Sequence, residues 1–112
     1  MLGRDAFTSG KRFKDVECKS LGGWTRLQSL SVSEFVEFED KAKEFHEAGD
    51  DVGLMGLFLT FCLVDENNER ILTADDIQAV LETVGAGELT DIFQAAQDLN
   101  GLSDTEDDLE KK

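Results

Sequence analysis

One stretch limits the fold of this chain more than any other: residues 52–64, with the sequence VGLMGLFLTFCLV. Only Gly53, Gly56 and Thr60 interrupt its run of apolar side chains. A helix that is hydrophobic on all sides belongs in a core or an interface. Each large side chain that is buried contributes about 1.5–3 kcal/mol, so this segment should supply the largest share of the folding free energy. The sequence therefore predicts a central helix, either wrapped by the remaining elements or partly open to another molecule.

Three further helices are predicted around this segment. Before it, Ser31 and Ser33 are candidate N-caps, and Gly49 ends the helix. The apolar face of that first helix recurs at helical spacing, through Phe35, Phe38, Ala42 and Phe45. After the apolar stretch, Thr73 should cap a helix from Ala74 to about Val84. A last helix is predicted over residues 88–99, with Leu89, Ile92, Phe93, Ala96 and Leu99 on its apolar face.

Residues 12–30 predict a β-hairpin ahead of the helices. Two mixed apolar and polar segments, residues 12–19 and 24–30, flank Leu21-Gly22-Gly23. Paired glycines favour a tight turn, because glycine accepts the positive φ that such turns need. An isolated two-stranded hairpin is marginally stable in water. We therefore expect it to pack on the helices or to extend the sheet of a neighbouring subunit. The predicted fold class is α+β, mostly α, with a hairpin followed by about four helices over residues 33–100.

The charge of the chain limits its partners. A net charge of −14 arises from 25 acidic and 11 basic side chains, and it repels nucleic-acid phosphates and anionic lipid headgroups. We expect neither a nucleic acid nor a membrane as partner. Residues 1–30 carry six basic and three acidic side chains, a net of +3, so the acidity lies beyond residue 30. The segment LSDTEDDLEKK at residues 102–112 predicts an acidic flexible tail after a single domain at residues 1–101.

The sequence shows no secretory signal core and no apolar stretch of transmembrane length, so we expect a cytosolic protein. In that reducing compartment, Cys18 and Cys62 should be free thiols. His46 is the only histidine, and it follows Phe45 near the end of an acidic helix, where a solvated position is expected. Motifs of nucleotide-binding and hydrolytic enzymes are absent from the sequence. We expect no enzymatic activity and no cofactor.

One alternative comes from DENNERILTADD, residues 65–76, which overlaps the calcium-loop pattern of an EF-hand. Asp65, Asn67 and Glu69 would occupy positions one, three and five, and Asp76 position twelve. Arg70 argues against this reading, because it stands where the sharp turn needs glycine and places a cation beside the metal. Asp76 is also one methylene shorter than the usual glutamate. A polar turn that leads into a helix N-cap is the favoured interpretation.

Three segments of the chain together resemble a known family. They are DVECKSLGGWTRLQSLSVSEFVEF at residues 15–38, FLTFCLVDENNERILTADDI at residues 58–77 and FQAAQDLNGLSDTEDDLEKK at residues 93–112. Their order and spacing resemble the tail assembly chaperones of long-tailed bacteriophages, over nearly the whole chain from about residue 4. Members often carry a turn of the type Asp-Glu-Asp-Gly-Asn-Arg before Leu, Thr and paired acids. Here the turn reads DENNER, with Asn-Glu where Gly-Asn is common.

The resemblance implies a non-enzymatic protein that coats the hydrophobic, helical tape measure protein in the host cytoplasm and is absent from the mature virion. It further implies a homo-oligomer and, through a programmed frameshift near the C-terminus, a longer form that recruits tail tube subunits. The ending Glu110-Lys111-Lys112 is compatible with such a slippery codon run. The expected surface for the client or a neighbouring subunit lies on the apolar helix, at Leu54, Met55, Leu57, Phe58 and Phe61. A structural head–tail completion protein of the virion remains the other alternative.

Overall fold

The computed structural model describes residues 1–8 and 10–102. Within them, the predicted class is confirmed: a mostly helical α+β fold with a small antiparallel sheet. The helices are α1 (Arg4–Thr8), α2 (Val32–Ala48), α3 (Asp51–Cys62), α4 (Ile77–Thr83) and α5 (Ala86–Leu99). The strands are β1 (Phe13–Cys18), β2 (Gly23–Gln28) and β3 (Leu63–Val64), in the order β1-β2-β3. Apart from Leu102, the tail predicted at residues 102–112 lies outside the described residues.

Capping residues set the ends of the long helices. The Ser31 hydroxyl accepts the backbone N–H of Glu34, and the Glu34 carboxylate accepts the backbone N–H of Ser31, so the two form a capping box. Gly49 ends α2 at a φ of 68°, which a residue with a Cβ adopts only with strain. The Asp50 carboxylate then accepts the N–H of Gly53 at 2.9 Å and starts α3. Of the two candidate caps for the first helix, Ser31 is the one used, and the predicted stop at Gly49 is confirmed.

The hairpin is confirmed, but its turn differs from the tight Gly-Gly turn that we expected. Residues Lys19–Leu21 form a single 3-10 turn, and Gly22 follows in the left-handed region at a φ of 78°. Gly23 is already the first residue of β2 and pairs with Cys18. The longer connection arises because only one of the two glycines is used for a positive φ.

The apolar stretch does not remain helical to its end. The helix stops at Cys62, and Leu63 and Val64 form β3, which pairs antiparallel with β2 through Leu27 and Arg26. The expectation of a single helix through Val64 is therefore wrong. When almost every residue is apolar, helix and strand periodicities cannot be distinguished. No sequence pattern therefore indicated the change from helix to strand at Leu63. The third strand also gives the hairpin the support that a two-stranded ribbon lacks.

Smaller differences occur at other elements. The short helix α1 was not expected, and α5 starts at Ala86 rather than at residue 88. Thr73 and Asp76 form a capping box, as predicted in outline, but the first turn at Ala74–Asp76 is 3-10 before α4 begins. None of the helices among the described residues is long and apolar enough to span a membrane.

Helix α3 is the centre of the fold and contacts α2, α4 and α5. Two glycines permit this close packing. A Cβ added to Gly56 would lie 2.8 Å from the Cγ2 of Ile77 on α4, and one added to Gly53 would lie 2.8 Å from the Cδ1 of Phe45 on α2. The hairpin packs against α5 and is tied to both ends of that helix. Arg12 donates to the carbonyl of Leu99 at 2.6 Å, and the N–H of Ser20 donates to Glu88 at 3.2 Å.

Candidate functional site

An apolar groove opens on the surface where α2, α3 and α5 meet. It has a volume of about 250 Å³ and is lined by Phe35, Phe38, Leu54, Phe58, Phe93, Gln97 and Leu102. All but one of these side chains are apolar. A second depression, of about 390 Å³, shares Phe35 and Leu102 with the first and continues along the start of α2. The two together form one mainly apolar surface, which we call the α2–α5 groove; its polar members are Gln97, Ser31, Glu39 and Asn100.

Aromatic rings form the base of the α2–α5 groove. The ring centroids of Phe35 and Phe38 are 5.9 Å apart on α2, and Phe38 meets Phe58 of α3 edge-on at 5.2 Å. Phe58 in turn meets Phe93 of α5 edge-on at 5.7 Å. Such edge-to-face pairs contribute about 0.5–1.5 kcal/mol each beyond the area they bury. The row of rings therefore holds three helices together and gives the groove a rigid base.

The start of α2 adds exposed apolar side chains beside this base. Val32 is 83% exposed and Val36 is 59% exposed, and both line the second depression. Large exposed apolar side chains that adjoin a groove are typical of contact surfaces. Because α2 buries only Ala42 completely, it presents apolar groups on more than one side. The amphipathic pattern predicted only the side through Phe35, Phe38, Ala42 and Phe45.

An ion pair fixes the end of α2 that borders the groove. Lys11 pairs with Glu34 and joins the start of the hairpin to the helix. Burial acts to raise the pKa of Glu34, but the hydrogen bonds from Lys11 and from the Ser31 backbone outweigh it, and the pKa is lowered. Glu34 thus remains ionised and serves both the helix cap and the ion pair.

The five residues expected to form the partner surface divide between groove and core. Leu54 and Phe58 line the α2–α5 groove. Leu57 and Phe61 are each 1% exposed and belong to a core cluster with Ala42 and Ile77. Met55 is half-buried and packs against the other core cluster. In this conformation a partner can touch the first two residues but cannot reach Leu57 or Phe61.

The α2–α5 groove also contains residues that sequence reasoning treated as core or as tail. Phe93 was assigned to the apolar face of the last helix, and Leu102 to the flexible tail. Leu102 lies in the groove because the chain reverses direction at Gly101, which has a φ of 69°. The N–H of Leu102 then donates to the carbonyl of Gln97 at 2.9 Å. A glycine stop followed by an apolar residue is a known signal for this backward contact. Asn100-Gly101-Leu102 carried that signal.

The acidic turn at residues 65–70 folds as a hairpin-like turn between Val64 and Arg70. The Asp65 carboxylate accepts the backbone N–H groups of Asn67 and Glu69 at 2.8 and 3.0 Å. Arg70 points back over the ring of Phe61, 4.2 Å from its centroid, and donates to the carbonyl of Thr60. Within residues 1–8 and 10–102, no group of three or more His, Cys, Asp or Glu side chains could hold a metal ion.

Asp76, which would close the alternative calcium loop, lies outside any such group. Its carboxylate accepts the backbone N–H of Thr73 at 2.8 Å as a helix cap. Together with Asp65, it is used for backbone hydrogen bonds. The geometry therefore fits the favoured interpretation, a polar turn that leads into a capped helix.

Both cysteines are free, as expected, and both are buried. Burial raises the pKa of the Cys62 thiol to about 12, against a smaller lowering by a hydrogen bond from Asn100. Burial and the nearby Glu88 carboxylate raise the pKa of Cys18. A thiol with a raised pKa is a poor nucleophile, because the thiolate is the reactive form. Both residues act here as small core side chains.

Comparison with known proteins gives a likeness among the solved structures. No protein-family model matches the sequence, and no curated protein matches it at a significant level. Among solved structures, that of the bacteriophage HK97 tail assembly chaperone is similar to this chain over 85% of its length and 86% of the other chain. The TM-score is 0.61 at 19% sequence identity. The two proteins therefore share a fold across nearly their whole lengths.

Proposed function

We propose that this chain is a bacteriophage tail assembly chaperone that binds the tape measure protein through its α2–α5 groove. The observation that carries the proposal is the shared fold with the HK97 tail assembly chaperone over 85% of the chain. The three sequence segments that resemble this family point in the same direction. A role in tail assembly requires no chemistry, so the protein acts by binding and not as an enzyme.

The geometry of the groove supports a helical, apolar client. Amphipathic helices bind to other proteins by laying their apolar face into a groove between helices. The α2–α5 groove has aromatic rings at its base and includes the exposed Val32 and Val36 along the start of α2. A long hydrophobic helix such as the tape measure protein is a client of this kind. The net charge of −14 would keep the coated complex soluble by mutual repulsion.

The proposal includes where and when the protein acts. It binds its client in the host cytoplasm, before the tail tube polymerises, and leaves before the virion is complete. A longer frameshifted form would carry an extension that recruits tail tube subunits. The alternative of a head–tail completion protein predicts the opposite fate, since such a protein stays in the particle. Mass spectrometry of purified virions separates the two: the chaperone should be absent.

Co-expression with the tape measure protein of the same phage tests the binding site. Phe35→Glu places a charge in the groove on a residue that is only half-buried, so the fold should survive. Val52→Asp is the matched control, because Val52 is exposed near the start of α3 and does not line the groove. We expect the wild type and Val52→Asp to keep the tape measure protein soluble and to co-purify with it. Phe35→Glu should reduce co-purification at least tenfold.

Circular dichroism and thermal unfolding of the purified variants accompany this experiment. If Phe35→Glu is folded and still co-purifies with the tape measure protein at the wild-type level, the groove is not the binding site. If the wild-type chain itself neither binds nor solubilises the tape measure protein, the chaperone function is wrong.

A further inference from the structure

Among the side chains that line the α2–α5 groove, that of Glu39 carries a charge. Glu39 follows Phe35 by four residues and therefore lies one turn further along the same side of α2. It lines the second depression together with Val32 and Val36, and its side chain is exposed. Its carboxylate makes no ion pair or hydrogen bond with any residue that the structure describes. A free negative charge therefore borders an apolar surface.

The basic side chains on this side of the molecule already have other partners. The lysine pairs are Lys11 with Glu34, Lys41 with Glu37 and Lys43 with Asp40. Lys43 lies one turn beyond Glu39, but its Nζ is 3.6 Å from the Asp40 carboxylate. Arg12 donates to the carbonyl of Leu99 at the end of α5. These contacts leave the charge of Glu39 available to a partner.

The other two walls of the groove supply no positive charge. Helices α3 and α5 contain neither Lys nor Arg, and Arg70 is the only such residue between positions 44 and 110. Its guanidinium lies over the ring of Phe61, which does not line the groove. At the start of α3, the carboxylate of Asp50 lies four residues before Leu54 of the groove. The electrostatic potential at the groove is therefore negative, and it attracts cationic groups.

We infer that the α2–α5 groove selects helical segments that are apolar on one face and carry a basic side chain beside that face. Glu39 is the residue that pairs with the basic side chain. Apolar contacts supply most of the affinity, and charge complementarity supplies the selection and the speed of association. The inference rests on the proposed function, and it adds the charge that a client segment must carry to fit this surface.

The overall charge of −14 also attracts basic peptides, so the test must separate local from global attraction. Glu44 provides the matched control. It follows Phe35 by nine residues, or two and a half helical turns, and therefore lies on the opposite side of α2. Like Glu39, it is exposed and makes no ion pair with any described residue. Replacing either residue changes the net charge equally, but only Glu39 lines the groove.

Two synthetic helical peptides serve as probes, and fluorescence anisotropy measures their binding to the full chain. Both carry Leu at the i, i+3, i+4 and i+7 positions of one face. The basic probe has Lys beside this face and the neutral probe has Gln, two residues with similar helix propensity. The variants are Glu39→Gln, Glu44→Gln and Val36→Asn. All three positions are exposed, so the fold should survive, and circular dichroism checks it.

We expect Glu39→Gln to weaken binding of the basic probe about threefold, the effect of one exposed ion pair, and to leave the neutral probe unchanged. Glu44→Gln should have less effect on the basic probe than Glu39→Gln has. Val36→Asn should weaken both probes, since it removes an apolar contact of the groove. High salt should reduce the difference between the probes.

Equal effects of Glu39→Gln and Glu44→Gln on the basic probe would overturn the inference, because the preference would then reflect net charge alone. The absence of a preference for the basic probe, or of binding by either probe, would also overturn it. So would binding of both probes that Val36→Asn leaves unchanged, because the peptides would then bind outside the groove.

Co-expression with the tape measure protein separates this inference from the proposed function. We expect Glu39→Lys to reduce co-purification of the tape measure protein relative to Glu44→Lys. If both variants retain it at the wild-type level, the selection by Glu39 is wrong and the proposed function stands. If the wild-type chain does not bind the tape measure protein, the proposed function is wrong, and the two probes alone decide whether the groove prefers basic helices.

Discussion

Both halves of α3 carry large apolar side chains, but the two halves have different surroundings. Residues 57–62 are all buried, packed between the sheet and the other helices. In residues 51–56 only the two glycines are buried, while Val52 is exposed and Leu54 and Met55 are half-buried. Since apolar side chains occur in both halves, hydrophobicity alone does not separate core from contact surface. An apolar side chain of α3 belongs to the core only where other elements of this small domain cover it.

The greatest loss of stability is expected when a buried ring is removed from residues 57–62 of α3. Phe61→Ala removes a ring that contacts Phe38 and lies under the Arg70 guanidinium. We expect a loss of about 3–5 kcal/mol in the free energy of unfolding, because a large buried ring leaves a cavity. Urea unfolding followed by circular dichroism measures it. A loss below 1 kcal/mol would mean that this half of α3 is not the core.

The junction of the two halves is tested at Gly56. Gly56→Ala places a methyl group 2.8 Å from the Cγ2 of Ile77. Overpacking costs about 1–3 kcal/mol, against a gain in helix propensity of about 1 kcal/mol, so we expect a net loss of up to about 2 kcal/mol. Ile77→Leu lacks the branch at Cβ, and the double variant should recover part of this loss. Additive losses in the double-mutant cycle would show that these two groups do not clash.

A smaller effect is expected at Glu34, beside the open surface. Its pKa is lowered from 4.5 in the fold, so its stabilising contribution is present above pH 4.5 and is lost as the pH falls through the folded-state value. Glu34→Gln should cost about 1 kcal/mol at pH 7 and flatten the fall in stability below pH 4.5. Glu37→Gln, one turn along the same helix, is the control. Identical pH profiles for the wild type and Glu34→Gln would show that this ion pair does not contribute to the stability of the fold.

The smallest effect belongs to the open half. Val52→Asp changes an exposed side chain in the first turn of α3 and should alter the free energy of unfolding by less than about 0.5 kcal/mol. The same urea titration that is used for Phe61→Ala measures it. A loss of unfolding free energy as large as that of Phe61→Ala would show that residues 51–56 are part of the core as well.

Much of the architecture could be predicted because local chemistry determines it. Ser31 and Asp50 mark helix starts through hydrogen bonds to nearby N–H groups, and Gly49 marks an end through its positive φ. The hairpin followed from its glycines and the mixed segments on either side. These signals lie within a few residues of the feature that they specify, so one sequence suffices to find them.

The remaining features depend on contacts between distant residues. Strand β3 forms because Leu63 and Val64 meet β2, more than thirty residues earlier in the chain. The α2–α5 groove likewise combines α2, α3, α5 and Leu102. The apolar pattern showed that Leu54, Phe58 and Phe61 were hydrophobic, but not which of them other helices would cover. Leu102 was the exception, since Asn100-Gly101 before it carried a readable signal.

Hydrogen–deuterium exchange tests most directly whether the α2–α5 groove is the binding surface. The exchange of each peptide of this chain is compared with and without a saturating segment of the tape measure protein. We predict that protection on binding is concentrated at residues 32–38 and 93–102, which form the two walls of the groove. Residues 65–70, in the acidic turn, should exchange at the same rate in both samples. Binding that protects the acidic turn and leaves residues 32–38 unchanged would contradict the proposed site.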